Sequence, residues 1–146
     1  MSWRDKLVPD DFGVPETLEH PRFRLRKLTI HDVDKDLEAI HERVLRDGTP
    51  DPWLETARDE NLVDLGWHQK EFELLRSFAY TVVEPDESRV LGCVYLYPDE
   101  EADVDVRMWV RRDAWEAGLD PELERAVKDW LEAEWPFERI RFRERD

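Results

Sequence analysis

The chain has 146 residues, 40% of them apolar and including seven Trp and six Phe, which suits one domain and supplies enough side-chain volume for one core. Asp and Glu number 37 against 22 Lys plus Arg, a net charge of −15, so nucleic acid and anionic membrane surfaces are not expected partners and cationic ones are favoured. No run of about 18 apolar residues occurs, as a membrane-spanning helix would need, and Cys93 is the only cysteine, which excludes an internal disulfide and a Cys-based zinc site.

The four histidines, His20, His31, His41 and His68, show no HxxxH or HExxH spacing, and no metal is expected. Lys occurs only at 6, 27, 35, 70 and 128, every other basic position being Arg. High acidity with few lysines is the composition of proteins from salt-loving organisms, whose dense carboxylates stay hydrated while salt screens their repulsion. An acidic binding surface is the other reading of the same charge. The first twenty residues carry Asp and Pro where a secretory signal needs an apolar stretch, so a cytoplasmic protein is expected.

Residues 1–21 contain Pro9, Pro15 and Pro21 and read as an irregular arm packing through Trp3, Phe12 and Leu18, ahead of a single domain over 22–146. Residues 22–30 alternate imperfectly, as a strand with one wet face does. Thr29 or Asp32 then caps a helix whose apolar positions are Val33, Leu37, Ile40, Val44 and Leu45, with Gly48, Pro50 and Pro52 ending it. From Trp53 to Arg76 the spacing again predicts helix, in two pieces divided near 58–61. FAYTVVE at 78–84 and RVLGCVYLY at 89–97 read as a hairpin, followed by a third strand over 103–110. Asp120 and Pro121 mark a helix start, with a buried stripe of Leu123, Ala126, Val127, Trp130 and Leu131 up to Pro136, and ERIRFR at 138–143 is a last strand.

RVLGCVYLYP at 89–98 and VDVRMWVRRDAWEAGLDPELERAVKDWL at 104–131 resemble the "vvG.i.l" strand of the GNAT acetyltransferases and their AEIGYWV strand, R/Q-x-x-G-x-G/A loop and helix. The resemblance covers about residues 22–143. It implies an α+β fold with a mixed, mainly antiparallel sheet of about five strands and helices on both faces. It also implies an acetyl-CoA-dependent N-acetyltransferase acting on a small-molecule or peptide amine. The cofactor would lie against the strand backbone of Met108, Trp109 and Val110 and the loop of Trp115, Glu116, Ala117, Gly118 and Leu119, where free N–H groups at a helix start hold pyrophosphate. Asp105 stands at the Glu of the family strand and would deprotonate the amine through a water. Its other reading is an outward-facing strand residue.

The loop departs from the family pattern. Trp115 stands at the R/Q position, and Asp120 replaces the final Gly/Ala with Pro121 next to it. A carboxylate capping the helix and a proline without an N–H both oppose pyrophosphate, whereas Arg111 and Arg112 either turn inward and offset this or form a solvated edge. No tyrosine follows Tyr97, so the tyrosine general acid that the family carries after the last strand has no match. These departures support an alternative, a GNAT-like binding or structural module. Tyr80, Tyr95 and Tyr97 either line a pocket or pack; Cys93 is a buried small hydrophobe, and His68 a surface or packing residue. Ile140 and Phe142 on a last strand open at its edge point to a homodimer.

The charge generates a direct test: the melting temperature should rise from low salt to molar KCl as carboxylate repulsion is screened. A flat or falling melting temperature over that range contradicts the salt-adapted reading.

Overall fold

A computed structural model describes residues 5–51 and 55–142. In chain order its elements are β1 (Thr17–Glu19), β2 (Arg24–Lys27), a 3-10 turn over Ile30–Asp32, α1 (Val33–Ile40), β3 (Arg43–Val44), α2 (Arg58–Glu73), β4 (Phe78–Val83), β5 (Val90–Tyr97), β6 (Val104–Arg111), α3 (Arg112–Glu116), α4 (Leu119–Glu134) and β7 (Ile140–Phe142). β1, β2, β4, β5 and β6 lie side by side, each antiparallel to its neighbour. β5 pairs with one edge of β6 from Asp105 to Val110. The other edge is shared: β7 runs parallel along Val104–Val106, and β3 runs antiparallel against Val110–Arg111.

Alternation on β6 separates two layers. Val104, Val106, Met108 and Val110 enter a core with Leu123, Val127, Trp130 and Leu131 of α4, and with Phe78 and Tyr80 of β4. Trp109 enters a second core with Cys93 of β5, Val33, Ala39 and Ile40 of α1, and Leu65 of α2. Helices therefore cover both faces, as the resemblance implied. The stripe predicted for α4 is the buried one, Ala126 being partly buried at its margin. β4 is buried at all six positions, which is why its sequence shows a continuous apolar run rather than alternation.

Several local expectations are corrected. Thr17–Glu19 is a strand paired with Arg24–Arg26, so the arm is not irregular throughout; the Phe12 ring packs tilted against Trp135 at 5.6 Å and Leu7 is buried, while Trp3 lies outside the described residues. α1 ends at Ile40, and Val44 and Leu45 are not helical. Val44 is β-branched and fully buried beside Val110, and that tertiary pairing outweighs the helical spacing. α2 is continuous from Arg58 to Glu73 without a break at 58–61; Trp53 and Leu54 lie outside the described residues. An unforeseen short helix, α3, precedes α4, and α4 begins at Leu119 after Gly118 in the left-handed conformation (φ 81°). Asp120 is thus the second residue of α4, not its cap.

One glycine fixes the central pair. Val82 faces Gly92 and Val83 faces Val90, leaving Leu91 as the extra residue of a bulge. A Cβ on Gly92 would stand 2.0 Å from the carbonyl oxygen of Trp109. Gly92→Ala should therefore lower unfolding free energy by at least about 2 kcal/mol in urea titrations, whereas Gly13→Ala, with nothing within 4 Å of its Cβ, should change it by less than about 0.5 kcal/mol. Equal stability of the two variants contradicts the packing argument.

Candidate functional site

Between α1, α2 and β5 lies a cavity of about 330 Å³ lined by Asp36, Ile40, Arg43, Thr56, Glu60, Asn61, Asp64, Leu65 and Tyr95, within the size range of small-ligand sites. Two of its polar groups, Asp36 and Asn61, stand at helix positions that would ordinarily be apolar. Asp36 shares the inward face of α1 with Val33 and Ile40, and Asn61 shares that of α2 with Leu65 and Phe72. Asn61 Nδ2 donates to Asp36 Oδ2 at 2.9 Å, and Cys93 Sγ donates to Asp36 Oδ1 at 3.6 Å. Asp36 is only 2% exposed, and burial pushes its carboxyl up to about 6 despite those two donors. The Cys93 thiol is pushed up as well, first by burial and then by the Asp36 charge, so it is the small buried residue expected rather than a nucleophile.

Tyr95 forms the floor. Trp109 Nε1 donates to its hydroxyl at 3.0 Å, and His68 and Tyr97 stack on its ring at 5.1 and 5.5 Å. Burial raises the Tyr95 pKa well above its usual value, keeping the phenol protonated. His68 is a buried packing residue whose Nε2 lies 3.4 Å from Asp64. Arg43 sits over the Trp109 ring at 5.3 Å with its Nε 3.0 Å from Asp51, so its charge is compensated and the cavity wall stays acidic through Asp36, Glu60 and Asp64.

The residues proposed from sequence divide between the layers. Tyr80 packs against Phe72 and Trp130 in the α4 core, apart from Tyr95 and Tyr97. Asp105 faces the cavity side of β6 as the cross-strand partner of Tyr97. It is 1% exposed, with Arg107 Nη2 3.2 Å from its Oδ2, so the outward-facing reading is corrected. It lies outside the residues lining the cavity. Arg111 is no solvated edge either: it is 7% exposed and binds Glu38, Asp113 and the carbonyl of Val90. Met108 points into the α4 core and Trp109 into the cavity layer, while Glu116, Ala117 and Gly118 are exposed and Leu119 is buried.

The GNAT family generally uses acetyl-CoA, and the edge of β6 with the following loop is where the resemblance places it. In this conformation the residues do not fit it. β3 is paired with Val110 and Arg111, and the backbone N–H of Arg112 donates to Glu42 O at 2.8 Å. Trp115 Nε1 donates to Arg46 O at 2.9 Å, and a Cβ on Gly48 would stand 2.7 Å from the Trp115 ring. The buried Asp120 carboxylate lies 3.5 Å from Arg46 Nε, and Arg46 also binds Glu124. Asp120 thus opposes pyrophosphate as an ion-paired group on the first turn of α4, not as the expected cap. Among the described residues no cluster suited to a metal is found, and no helix is long and apolar enough to cross a membrane.

Asp36, Arg43, Glu60, Asn61 and Asp64 were missed from sequence. The available signal was an acid and an amide on otherwise apolar helix faces, at 36 between 33 and 40 and at 61 before 65.

Comparison with known proteins agrees with this architecture. A solved structure from Vibrio cholerae assigned as a ribosomal-protein-serine acetyltransferase superposes with a TM-score of 0.64 at 13% identity, covering 86% of this chain and 70% of that one. A GnaT-family acetyltransferase assigned in Bordetella pertussis gives 0.63 at 14%, covering 81% and 73%. A spermidine N-acetyltransferase chimera from Vibrio cholerae and hSSAT gives 0.57 at 12%, covering 77% and 64%. A search of curated protein sequences finds no match. The family profile described as Acetyltransferase (GNAT) domain matches residues 22–144, and the chain therefore belongs to the GNAT acetyltransferase family.

Proposed function

We propose that the protein transfers an acyl group to a small cationic amine held in the cavity between α1, α2 and β5. The observation that carries this reading is Asp36, a carboxylate on the cavity wall whose pKa of about 6 suits a base working near neutral pH. An ammonium group must lose a proton before its nitrogen can attack an acyl carbonyl, and the new C–N bond forms as the acyl carbon–sulfur bond of a thioester donor breaks and the donor's thiol leaves. Glu60 and Asp64 draw the cation in, and Asp36 accepts the proton, directly or through one water. Asn61 and Cys93 hold the Asp36 carboxylate in one orientation, as Trp109 does the Tyr95 hydroxyl. Asp105, the base implied by the family resemblance, is the second reading, favoured by its burial on the same side of the sheet. Family membership favours acyl transfer over a purely structural role. The dense surface carboxylates suit a salt-rich cytoplasm, and pairing of a second copy at the β7 edge belongs to the same reading.

Asp36→Asn should lower kcat/KM toward a panel of di- and polyamines by about 100-fold and abolish the acidic limb near pH 6. Asp105→Asn should cost less than about tenfold. Full activity of Asp36→Asn, or an equal loss in Asp105→Asn, contradicts the assignment. Stability gives an independent readout. Folding raises the Asp36 pKa from the ordinary 3.8 to about 6, so the native state holds this proton more tightly than the unfolded chain. Its destabilising cost is absent below pH 3.8, grows through that window and is complete above about 6. The stability of Asp36→Asn relative to the parent should therefore increase from pH 4 to pH 6.5, by up to about 3 kcal/mol; a pH-independent difference contradicts it.

A further inference from the structure

Residues 43–51, between α1 and α2, form a closed structure of their own. Leu45 N donates to Thr49 O at 2.7 Å, Gly48 N to Leu45 O at 2.9 Å and Asp51 N to Arg43 O at 3.2 Å, while Val44 bridges Pro50. Asp47 Oδ1 accepts from the Thr49 backbone N–H and hydroxyl at 2.9 and 2.8 Å, and Gly48 supplies the positive φ of 90° that closes the turn. The result is a tight hairpin over 43–51. Its first limb and tip make polar contacts with the end of β6, the loop leading to α4 and the first turns of α4. Val44 and Arg43 pair with Val110 and Arg111. The carbonyl of Arg46 holds the Trp115 indole, the carbonyl of Gly48 accepts from Arg112 Nη1 at 3.4 Å, and the Arg46 side chain spans Asp120 and Glu124.

A strand edge accepts one partner at a time, because each of its N–H and C=O groups is used by whichever chain lies beside it. β7 already holds Val104–Val106. Beyond it, the family resemblance implies an acyl donor lying against the backbone of 108–110 and the loop at 115–119, and the hairpin meets this stretch at Val110 and at Trp115. We infer that the hairpin 43–51 is an autoinhibitory strap, which occupies the acyl donor's strand edge and loop and must swing off β6 before a donor can bind. The inference rests on the acyl-transfer reading. The strap ties donor and acceptor sites together, because Arg43 lines the amine cavity at one end of the hairpin while Arg46 covers the start of α4 at the other. Arg46 also gives the otherwise adverse Asp120 a use, as the anchor that seats the strap.

The test is calorimetric titration of acetyl-CoA into the full chain and two variants that open the strap, Leu45→Pro leaving β6 and the loop untouched and Gly48→Val pushing the strap off the Trp115 ring. Gly48→Val drives a side chain into the Trp115 ring and is strained at positive φ. Leu45→Pro deletes the N–H that closes the hairpin onto Thr49. Apparent affinity is the intrinsic affinity scaled by the open fraction, so both variants, with circular dichroism unchanged, should bind at least about tenfold more tightly than the parent. Unchanged or weaker binding in a folded variant overturns the strap, as does an absence of binding in all three proteins. Tighter binding in the variants with no acyl transfer to any amine of the panel upholds the strap and instead removes the proposed activity. Should Gly48→Val fail to fold, Leu45→Pro carries the same comparison.

Discussion

The structure is organised by the demands on β6. One edge is committed to β5 over six residue pairs, and the other is divided between β7 at its start and β3 at its end. One face builds the α4 core with Val104, Val106, Met108 and Val110, and the other carries the buried Asp105, Trp109 and Arg111 and the exposed Arg107. A one-residue slip would exchange these sets, burying Arg107 under α4 and exposing Met108. The Gly92 contact with Trp109 O and the bulge at Leu91 pin that register.

The arginines show how a very acidic chain uses few positive charges. Arg26 bridges Asp32 and Glu87, Arg111 bridges Glu38 and Asp113, and Arg46 bridges Asp120 and Glu124. In each case one planar guanidinium serves two carboxylates, from different segments for Arg26 and Arg111 and from one face of α4 for Arg46, a task for which its fork of donors is suited and a lysine ammonium is not. These pairs fix where segments meet rather than adding large net stability, since removing charge from water offsets much of the attraction. The scarcity of lysine, read from composition as salt adaptation, has a positional meaning too.

β6 and the inward stripe of α4 were legible because their side-chain periods are set locally, and β4 and β5 because β-branched and aromatic runs stand between clear turn residues. β3 was not legible. Two residues cannot show a strand period, and Val44 fits the helical spacing of Val33, Leu37 and Ile40 as well as it fits a strand; only its burial against Val110, 66 positions along the chain, decides. The expected cap at Asp120 lies two residues too late: Asp-Pro is a strong start signal, but Gly118 in the left-handed conformation is the residue that begins the helix. The cavity was hidden for a different cause, that an acid such as Asp36 among 37 carboxylates stands out only when its helix face is known.

The hairpin 43–51 pairs with the outer edge of β6 at Val110 and Arg111, and hydrogen exchange resolved to single amides, with and without acetyl-CoA, tests whether that edge is released to an acyl donor. The amides of Leu45 and Gly48 should be slow to exchange in the protein alone and become fast on saturation with acetyl-CoA, while those of 108–111 gain protection or keep it. Hairpin amides that stay equally protected at saturating acetyl-CoA would contradict that release.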